Sequence, residues 1–149
     1  MIKIPSTYGE WVDVLNMLKN KSNDEEVLHV MQQGKLEWQT GVAERFTEKY
    51  IGTINYRLDN ATDKFQTEIN RASGRESMII QALLNLRKEL VFLSKVANIE
   101  AVPEKYRSQY YNMVINHADS IQKSLEDSAK KDRTGKLSSI IRNHKVTIN

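Results

Sequence analysis

The sequence predicts an all-α fold: an antiparallel helical bundle with an N-terminal helical hairpin, three long helices and a short basic C-terminal helix or tail. Three observations support this prediction. Apolar residues recur every three or four positions over long stretches, which is the period of an α-helix. Only two prolines and six glycines occur in 149 residues, too few for a sandwich or barrel of many short strands. No segment alternates convincingly between apolar and polar residues, so no sheet is predicted.

The first helix is predicted to begin near Thr7. Thr7 and Glu10 have the spacing of a capping box, in which each side chain accepts a hydrogen bond from the backbone N–H of the other residue. Apolar residues follow at helical spacing, namely Tyr8, Trp11, Val12, Leu15 and Leu18. Ser22 and Glu25 repeat the capping-box spacing and predict a second, shorter helix. Gly34 stands where a left-handed residue commonly ends a helix, so this segment is predicted to be a helical hairpin.

The first long helix is predicted over residues 36–72, a stretch without proline. Its apolar residues form one seam: Trp38, Val42, Phe46, Ile51, Ile54, Leu58, Ala61, Phe65 and Ala72. A helix of this length extends for about 50 Å. Gly52 interrupts it at a cost of about 1 kcal/mol, and we expect either a kink there or a close approach of another helix.

A second long helix is predicted from Glu76 to Ala97, after the break at Ser73-Gly74. Its seam consists of Ile79, Leu83, Leu86, Leu90, Leu93 and Ala97. Four further apolar residues widen this surface beyond one seam: Ile80, Leu84, Val91 and Phe92. Such a wide apolar surface is typical of a central helix in a bundle or of one that also faces a second subunit. We therefore predict these four residues as interface residues.

A third long helix is predicted to start at Pro103, a favourable first residue, and to fade near Ala129. Its apolar stripe contains Tyr106, Tyr110, Met113, Val114, His117, Ile121 and Leu125. Beyond Gly135, the residues Leu137, Ile140 and Ile141 predict a last short turn of helix that folds back onto the bundle.

Charge is distributed unevenly along what we predict to be one compact domain, with a hairpin at 1–34, a bundle core at 35–129 and a tail at 130–149. The tail contains six basic residues and one acid, a charge of +5, so the rest of the chain carries −2. The basic residues are candidates for contacts to the phosphates of RNA or DNA: Lys130, Lys131, Arg133, Lys136, Arg142 and Lys145. Alternatively, the first three occupy the last turn of a helix that Gly135 caps, where cations complement the helix dipole.

Two histidines are candidates for a chemical role. Glu26 and His29 match the Glu-x-x-His motif of di-iron bundles, but that chemistry needs a second such motif and two further glutamates. His117 lies on the apolar stripe of its helix, and we favour a core-edge histidine hydrogen-bonded to a neighbouring helix over a catalytic acid or base. The segment from Arg133 to Ser139 lacks the second glycine and the Ser or Thr after Gly-Lys that a phosphate loop requires.

Other activities are excluded by composition. The chain has no cysteine, which rules out disulfides, thiolate catalysis and cysteine-based zinc sites. The longest run without Asp, Glu, Lys, Arg or His, residues 77–86, is about half the length of a membrane span, and the N-terminal residues lack the apolar core of a signal peptide. We therefore expect a cytoplasmic protein with no membrane contact, no metal, no cofactor and no small-molecule substrate.

Two functions remain. The first is a non-enzymatic helical-bundle interaction protein that forms a homo-oligomer or docks on a protein partner, in the manner of a coiled coil. The alternative is a nucleic-acid-binding accessory or regulatory protein that uses the basic C-terminal segment. A helical-bundle enzyme, a third class, requires buried polar residues that converge in a pocket.

Overall fold

The computed structural model describes residues 2–38 and 41–148, and within them the chain is all-α, as predicted. The six helices described are α1 (Tyr8–Lys19), α2 (Asp24–Gln33), α3 (Val42–Ala72), α4 (Glu76–Val96), α5 (Glu104–Ala129) and α6 (Lys136–Asn143). None of the helices in the described part of the chain is both long and apolar enough to cross a membrane.

The start of α1 confirms the predicted capping box. The Thr7 hydroxyl accepts a hydrogen bond from the Glu10 N–H at 3.2 Å, and the Glu10 carboxylate accepts one from the Thr7 N–H at 3.2 Å. The apolar side of the helix is buried, with Trp11, Leu15 and Leu18 fully enclosed.

The predicted start of α2 was one residue too early. The N-cap is Asn23, whose side-chain oxygen accepts a hydrogen bond from the Glu26 N–H at 3.4 Å. Ser22 is not available for this role because it completes the end of α1: its N–H donates to the Met17 carbonyl at 3.1 Å. Lys21, the first residue after the C-cap Asn20, has a left-handed φ of 53°. This conformation is common at that position of a helix end.

Gly34 was predicted to be left-handed, and this prediction was wrong. Its φ is −70° and its ψ is 160°, which is extended backbone. The glycine is needed for space instead, since a Cβ at this position would lie 2.6 Å from the Trp11 ring and 2.9 Å from the Pro5 ring.

Helix α3 begins later than predicted, at Val42, so Trp38 lies before the helix and not on its seam. Residues 39 and 40 of the predicted helix lie outside the described residues. The helix continues through Gly52 to Ala72, a length of about 46 Å. The expected close approach at Gly52 is wrong, because a Cβ built there meets nothing within 4 Å.

The end of α5 also differs from its predicted role. The helix ends at Ala129, so Lys130, Lys131 and Arg133 follow it and do not form its last turn. Gly135, with a φ of 75°, is the N-cap of α6 and not the cap of α5. The predicted last turn of helix is present as α6, and its Ile140 and Ile141 are buried.

The chain divides into two compact units: Met1–Leu58 with Lys95–Tyr111, and Asp59–Ser94 with Asn112–Asn149. The segment and single-domain boundaries drawn from sequence stay predictions. The first unit has an aromatic core of Trp11, Trp38, Phe46, Tyr50, Tyr106 and Tyr110, whose neighbouring ring centroids lie 5.3 to 6.1 Å apart. Burial raises the pKa of Tyr50, whose hydroxyl donates to the Val96 carbonyl.

The second unit has a mainly aliphatic core, with one phenylalanine among the residues that form it. It is built from Phe65, Leu83, Leu86, Leu90, Leu93, Val114, Ala118, Ile140, Ile141 and Val146. The α4 seam in this list was predicted from its spacing and is confirmed by its burial.

Candidate functional site

The second unit contains a groove between α4 and the C-terminal segment. Seven residues line it: Leu84 and Arg87 from α4, Arg142 and Asn143 from α6, and His144, Lys145 and Thr147 after α6. We call it the α4–α6 groove. Its volume is about 310 Å³, at the lower end of the range of small-molecule pockets. The groove brings together Leu84, a predicted interface residue, and two of the predicted phosphate contacts, Arg142 and Lys145.

One wall of the groove depends on how α6 is held. Asp132 accepts hydrogen bonds from the backbone N–H of Leu137 at 3.0 Å and of Thr134 at 3.1 Å. These bonds and that from the Thr134 hydroxyl lower the pKa of Asp132, the Leu137 N–H contributing most. They tie the loop before α6 to its first turn. Since Ile140 and Ile141 face the core, the neighbouring Arg142 is exposed.

The rest of that wall is anchored by one buried polar contact. The backbone N–H of Val146 donates to the Gln122 side-chain oxygen at 2.9 Å, and both residues are buried. Gln122 lies on α5 and also donates to Glu126 at 3.1 Å. Because Val146 is held inside, its neighbours Lys145 and Thr147 line the groove.

The opposite wall is the outer face of α4. Leu84 is 47% exposed, although Leu83 and Leu86 on the same helix are buried. Arg87 follows Leu84 by three positions, so the two side chains lie on one face. Of the other predicted interface residues, Ile80, Val91 and Phe92 are half-buried, and Phe92 already takes part in an interaction within the chain.

The groove carries unbalanced positive charge. Arg87, Arg142 and Lys145 are exposed, and in the part of the chain that the structure describes no carboxylate lies within ion-pair distance of any of them. Three cations around one concave surface repel one another and attract an anion. Arg87 was missed at the sequence level because it lies far from the basic tail in the chain.

The other four basic residues of the tail do not line the groove. Lys130 Nζ lies 3.6 Å from a carboxylate oxygen of Asp127, and Lys136 Nζ lies 3.5 Å from one of Glu76. Lys131 and Arg133 are exposed in the loop between α5 and α6. Two of the six predicted phosphate contacts therefore line the groove, and the other four lie outside it.

The histidines considered from sequence have structural contacts. His117 Nε2 lies 3.0 Å from the Thr62 hydroxyl on α3, which confirms the interpretation as a histidine bonded to a neighbouring helix. Glu26 accepts hydrogen bonds from the Ile2 N–H and the Asn23 side chain, and His29 pairs with Gln33. Within residues 2–38 and 41–148, no cluster of three His, Asp or Glu side chains is placed to hold a metal ion.

The first unit has a cavity of about 400 Å³ beside Trp38. Its charged lining residues are Lys35 and Glu100, one of each sign, and the Trp38 indole N–H already donates to the Ala101 carbonyl at 2.6 Å. The cavity therefore lacks the excess positive charge of the α4–α6 groove.

Comparison with models of known protein families, with curated proteins and with solved structures finds no match to this chain.

Proposed function

We propose that the protein is a non-enzymatic interaction protein that binds a protein partner, either a second copy or a different chain, through the outer face of α4. The observation that carries this proposal is the exposure of Leu84, at 47%, in the middle of a helix whose opposite side is buried. Ile80 and Val91 extend the same face by about one turn and two turns in either direction. An apolar face of this kind, bordered by charged residues, is typical of a protein-binding surface.

We also propose the antiparallel packing of α3 and α4. One contact within each unit supports it. Asn85 donates to Glu68, 17 positions away, and Tyr50 donates to the Val96 carbonyl, 46 positions away. The sequence separation between the two contacting residues is larger for the pair farther from the Ser73-Gly74 turn, as it is in a helical hairpin.

A photo-crosslinking amino acid at position 84 tests the proposed function. The full-length protein carrying it is expressed in its native host and irradiated, and the adducts are treated with nuclease and identified by mass spectrometry. We expect one protein adduct that survives nuclease, together with a matching mass by light scattering of the purified complex. If the adduct contains a second copy of the chain, light scattering of the purified protein alone should give the mass of an oligomer.

The matched control places the same crosslinker at Glu44, an exposed position on α3 outside this face. Adducts that are equally strong at both positions, or a strict monomer with no adduct at position 84, contradict the proposal.

Nucleic-acid binding is a second candidate function, favoured by three exposed cations that line one groove, Arg87, Arg142 and Lys145. Lys131 and Arg133 add exposed charge in the preceding loop. It predicts an affinity for single-stranded DNA or RNA that falls steeply with salt. Substituting the three groove cations together with Lys131 and Arg133 by glutamine should then weaken binding and reduce the salt slope. No binding to either nucleic acid at low salt contradicts this function.

A further inference from the structure

We infer that the α4–α6 groove binds the carboxylates of an acidic, amphipathic helical segment in a protein partner, with Leu84 contacting the apolar residues of that segment. The inference rests on the proposed function and adds to it the chemical class of the ligand. It is carried by the juxtaposition of an exposed leucine with three exposed cations that have no carboxylate within ion-pair distance among the described residues.

The charge of the groove points to an anionic ligand. Arg87, Arg142 and Lys145 converge there from two elements that are far apart in sequence. The described part of the chain supplies them with no carboxylate partner, whereas it does supply one to Lys130 and to Lys136. Among the described residues, Lys130 and Lys136 outside the groove therefore have a carboxylate partner, and the three groove cations do not.

The groove also contains groups that suit carboxylates in particular. A guanidinium presents a planar fork of donors that can hold both oxygens of a carboxylate, and the groove has two of them, Arg87 and Arg142. Asn143 and Thr147 add uncharged hydrogen-bonding groups to the lining. Lys145 adds a compact charge at the end of a flexible side chain.

The apolar part of the surface distinguishes a peptide from a nucleic-acid backbone. Leu84 lies one helical turn before Arg87, and Ile80 and Val91 continue the same face of α4. A helix with leucine and glutamate three or four positions apart presents the complementary pair of groups. A phosphate backbone has no apolar group for Leu84, and it is bound best by a longer row of cations.

The inference is tested with synthetic peptides and the full-length protein. The probe is a labelled helical peptide of about 20 residues with leucines on one face and glutamates beside them. A second peptide has glutamine for every glutamate, and a third has alanine for every leucine on the apolar face. Affinities are measured by fluorescence anisotropy for the wild type and two triple variants. One is Arg87→Gln/Arg142→Gln/Lys145→Gln, and the control is Lys64→Gln/Arg71→Gln/Lys123→Gln.

The control variant has the same net charge as the groove variant, and its three positions are exposed in the same unit. We expect the groove variant to bind the glutamate peptide about tenfold more weakly than the wild type, and the control variant less than about twofold more weakly. The glutamine peptide should bind weakly to all three proteins. Equal weakening in both variants overturns the inference, because it shows attraction by net charge only.

A double-mutant cycle tests the role of Leu84. Leu84→Ala should weaken binding of the leucine-bearing peptide and leave binding of the alanine-bearing peptide unchanged. Additive effects overturn the contact between Leu84 and the peptide. A single-stranded oligonucleotide that binds the groove more tightly than the glutamate peptide overturns the peptide as ligand and supports nucleic-acid binding instead.

Far-UV circular dichroism and thermal midpoints check the folding of each variant. Should the triple groove variant fail to fold, Arg87→Gln alone, compared with Arg71→Gln alone, carries the test. The crosslink at position 84 separates the two proposals: an adduct without dependence on Arg87, Arg142 and Lys145 retains the proposed function and rejects the inference.

Discussion

At the scale of single residues, Arg57 is unusual because it is 2% exposed, and arginine is rarely fully buried without a partner. Its guanidinium donates to both carboxylate oxygens of Asp24, at 2.7 and 2.8 Å, and to the Leu18 carbonyl at 3.0 Å. Leu18 lies near the end of α1 and Asp24 begins α2, so one side chain on α3 holds both helices of the hairpin.

We expect Arg57→Met to destabilise the fold by about 3 kcal/mol, because it removes the partner of Asp24 and the donor to the Leu18 carbonyl. Urea unfolding of the purified variant measures this. Arg45→Met is the matched control, since Arg45 is exposed on the same helix and its loss should change stability by less than about 0.5 kcal/mol. Equal stabilities for the two variants contradict the structural role of Arg57.

Gly34 is required for a close contact. Lys35 N–H donates to the Pro5 carbonyl at 3.0 Å, and the Trp11 indole N–H donates to the Lys35 carbonyl at 2.9 Å, so the backbone at Gly34 passes directly over Trp11 and Pro5. Gly34→Ala should therefore destabilise by about 1–3 kcal/mol through overpacking. Chemical denaturation measures the change, and an unchanged or raised stability contradicts the close contact.

At the scale of helices, an alanine at Gly52 is predicted to stabilise the protein, in contrast to an alanine at Gly34. Gly52 lies inside α3 at an exposed position, and an added Cβ meets no atom within 4 Å. Gly52→Ala should stabilise the protein by about 1 kcal/mol, because alanine loses less backbone entropy in a helix. The thermal midpoint and urea unfolding both report the gain.

Gly74 provides the control for this substitution. It also has open space around it, but its φ of 79° is one that side chains rarely adopt. Gly74→Ala should destabilise, so the two alanine variants should differ in sign. A destabilised Gly52→Ala variant contradicts the regular helix through that position.

The capping box of α1 predicts a dependence on pH. The pKa of Glu10 is lowered from 4.5 to about 2, mainly by its hydrogen bond to Lys3 and further by those from Ser6 and Thr7. Because the folded-state pKa is the lower one, the ionised carboxylate stabilises the fold fully above pH 4.5, and this contribution is lost as the pH falls toward about 2.

Glu10→Gln should therefore be less stable than the wild type near neutral pH, and the difference should close between pH 4.5 and about 2. Urea unfolding at a series of pH values measures the difference, and NMR titration of the carboxyl group gives its pKa. In a Lys3→Ala variant the pKa of Glu10 should rise toward 4.5. A pKa that does not respond to Lys3 contradicts the ion pair as the main cause.

At the scale of the whole molecule, the C-terminal segment is held to its unit by a contact distant in sequence. Gln122→Met removes the acceptor of the Val146 N–H and leaves that buried group without a partner, which should cost about 1–3 kcal/mol. Hydrogen exchange at the Val146 amide should accelerate, and binding of the glutamate peptide should weaken because the groove wall is released.

Gln109→Met on the exposed side of α5 is the control and should leave both the exchange rate and the affinity unchanged. An equally protected Val146 amide in Gln122→Met would show that the wall is held by other contacts.

Local features of the fold were predictable because they depend on neighbouring residues. The Thr7–Glu10 capping box and the buried seam of α4 were predicted from residues three or four positions apart. Side chains at these spacings lie on the same face of a helix and can contact each other. The failures at Ser22 and Gly34 are also local in sequence, but their causes are not. The Ser22 N–H is hydrogen-bonded at the end of the preceding helix, and Gly34 lies against Pro5 and Trp11. The spacing of residues in the sequence does not predict where Pro5 and Trp11 lie relative to Gly34.

The candidate site was predictable only in pieces. Leu84 stood out as surplus apolar surface, and Arg142 and Lys145 as part of a basic tail. These three residues share a groove with Arg87 because Ile140, Ile141 and Val146 are buried. Their burial packs the C-terminal segment beside α4.

The sequence by itself therefore determined the helical class, most helix boundaries to within a residue or two, and the two sets of residues on which the proposals are based. Helix formation and amphipathicity are encoded by residues within about one turn of each other, so a linear pattern contains them. The tertiary structure decided which charges are neutralised and which remain open, and that two distant surfaces are one groove. Those outcomes depend on long-range packing, in which the free energy of burying a few apolar residues fixes the position of every polar residue beside them.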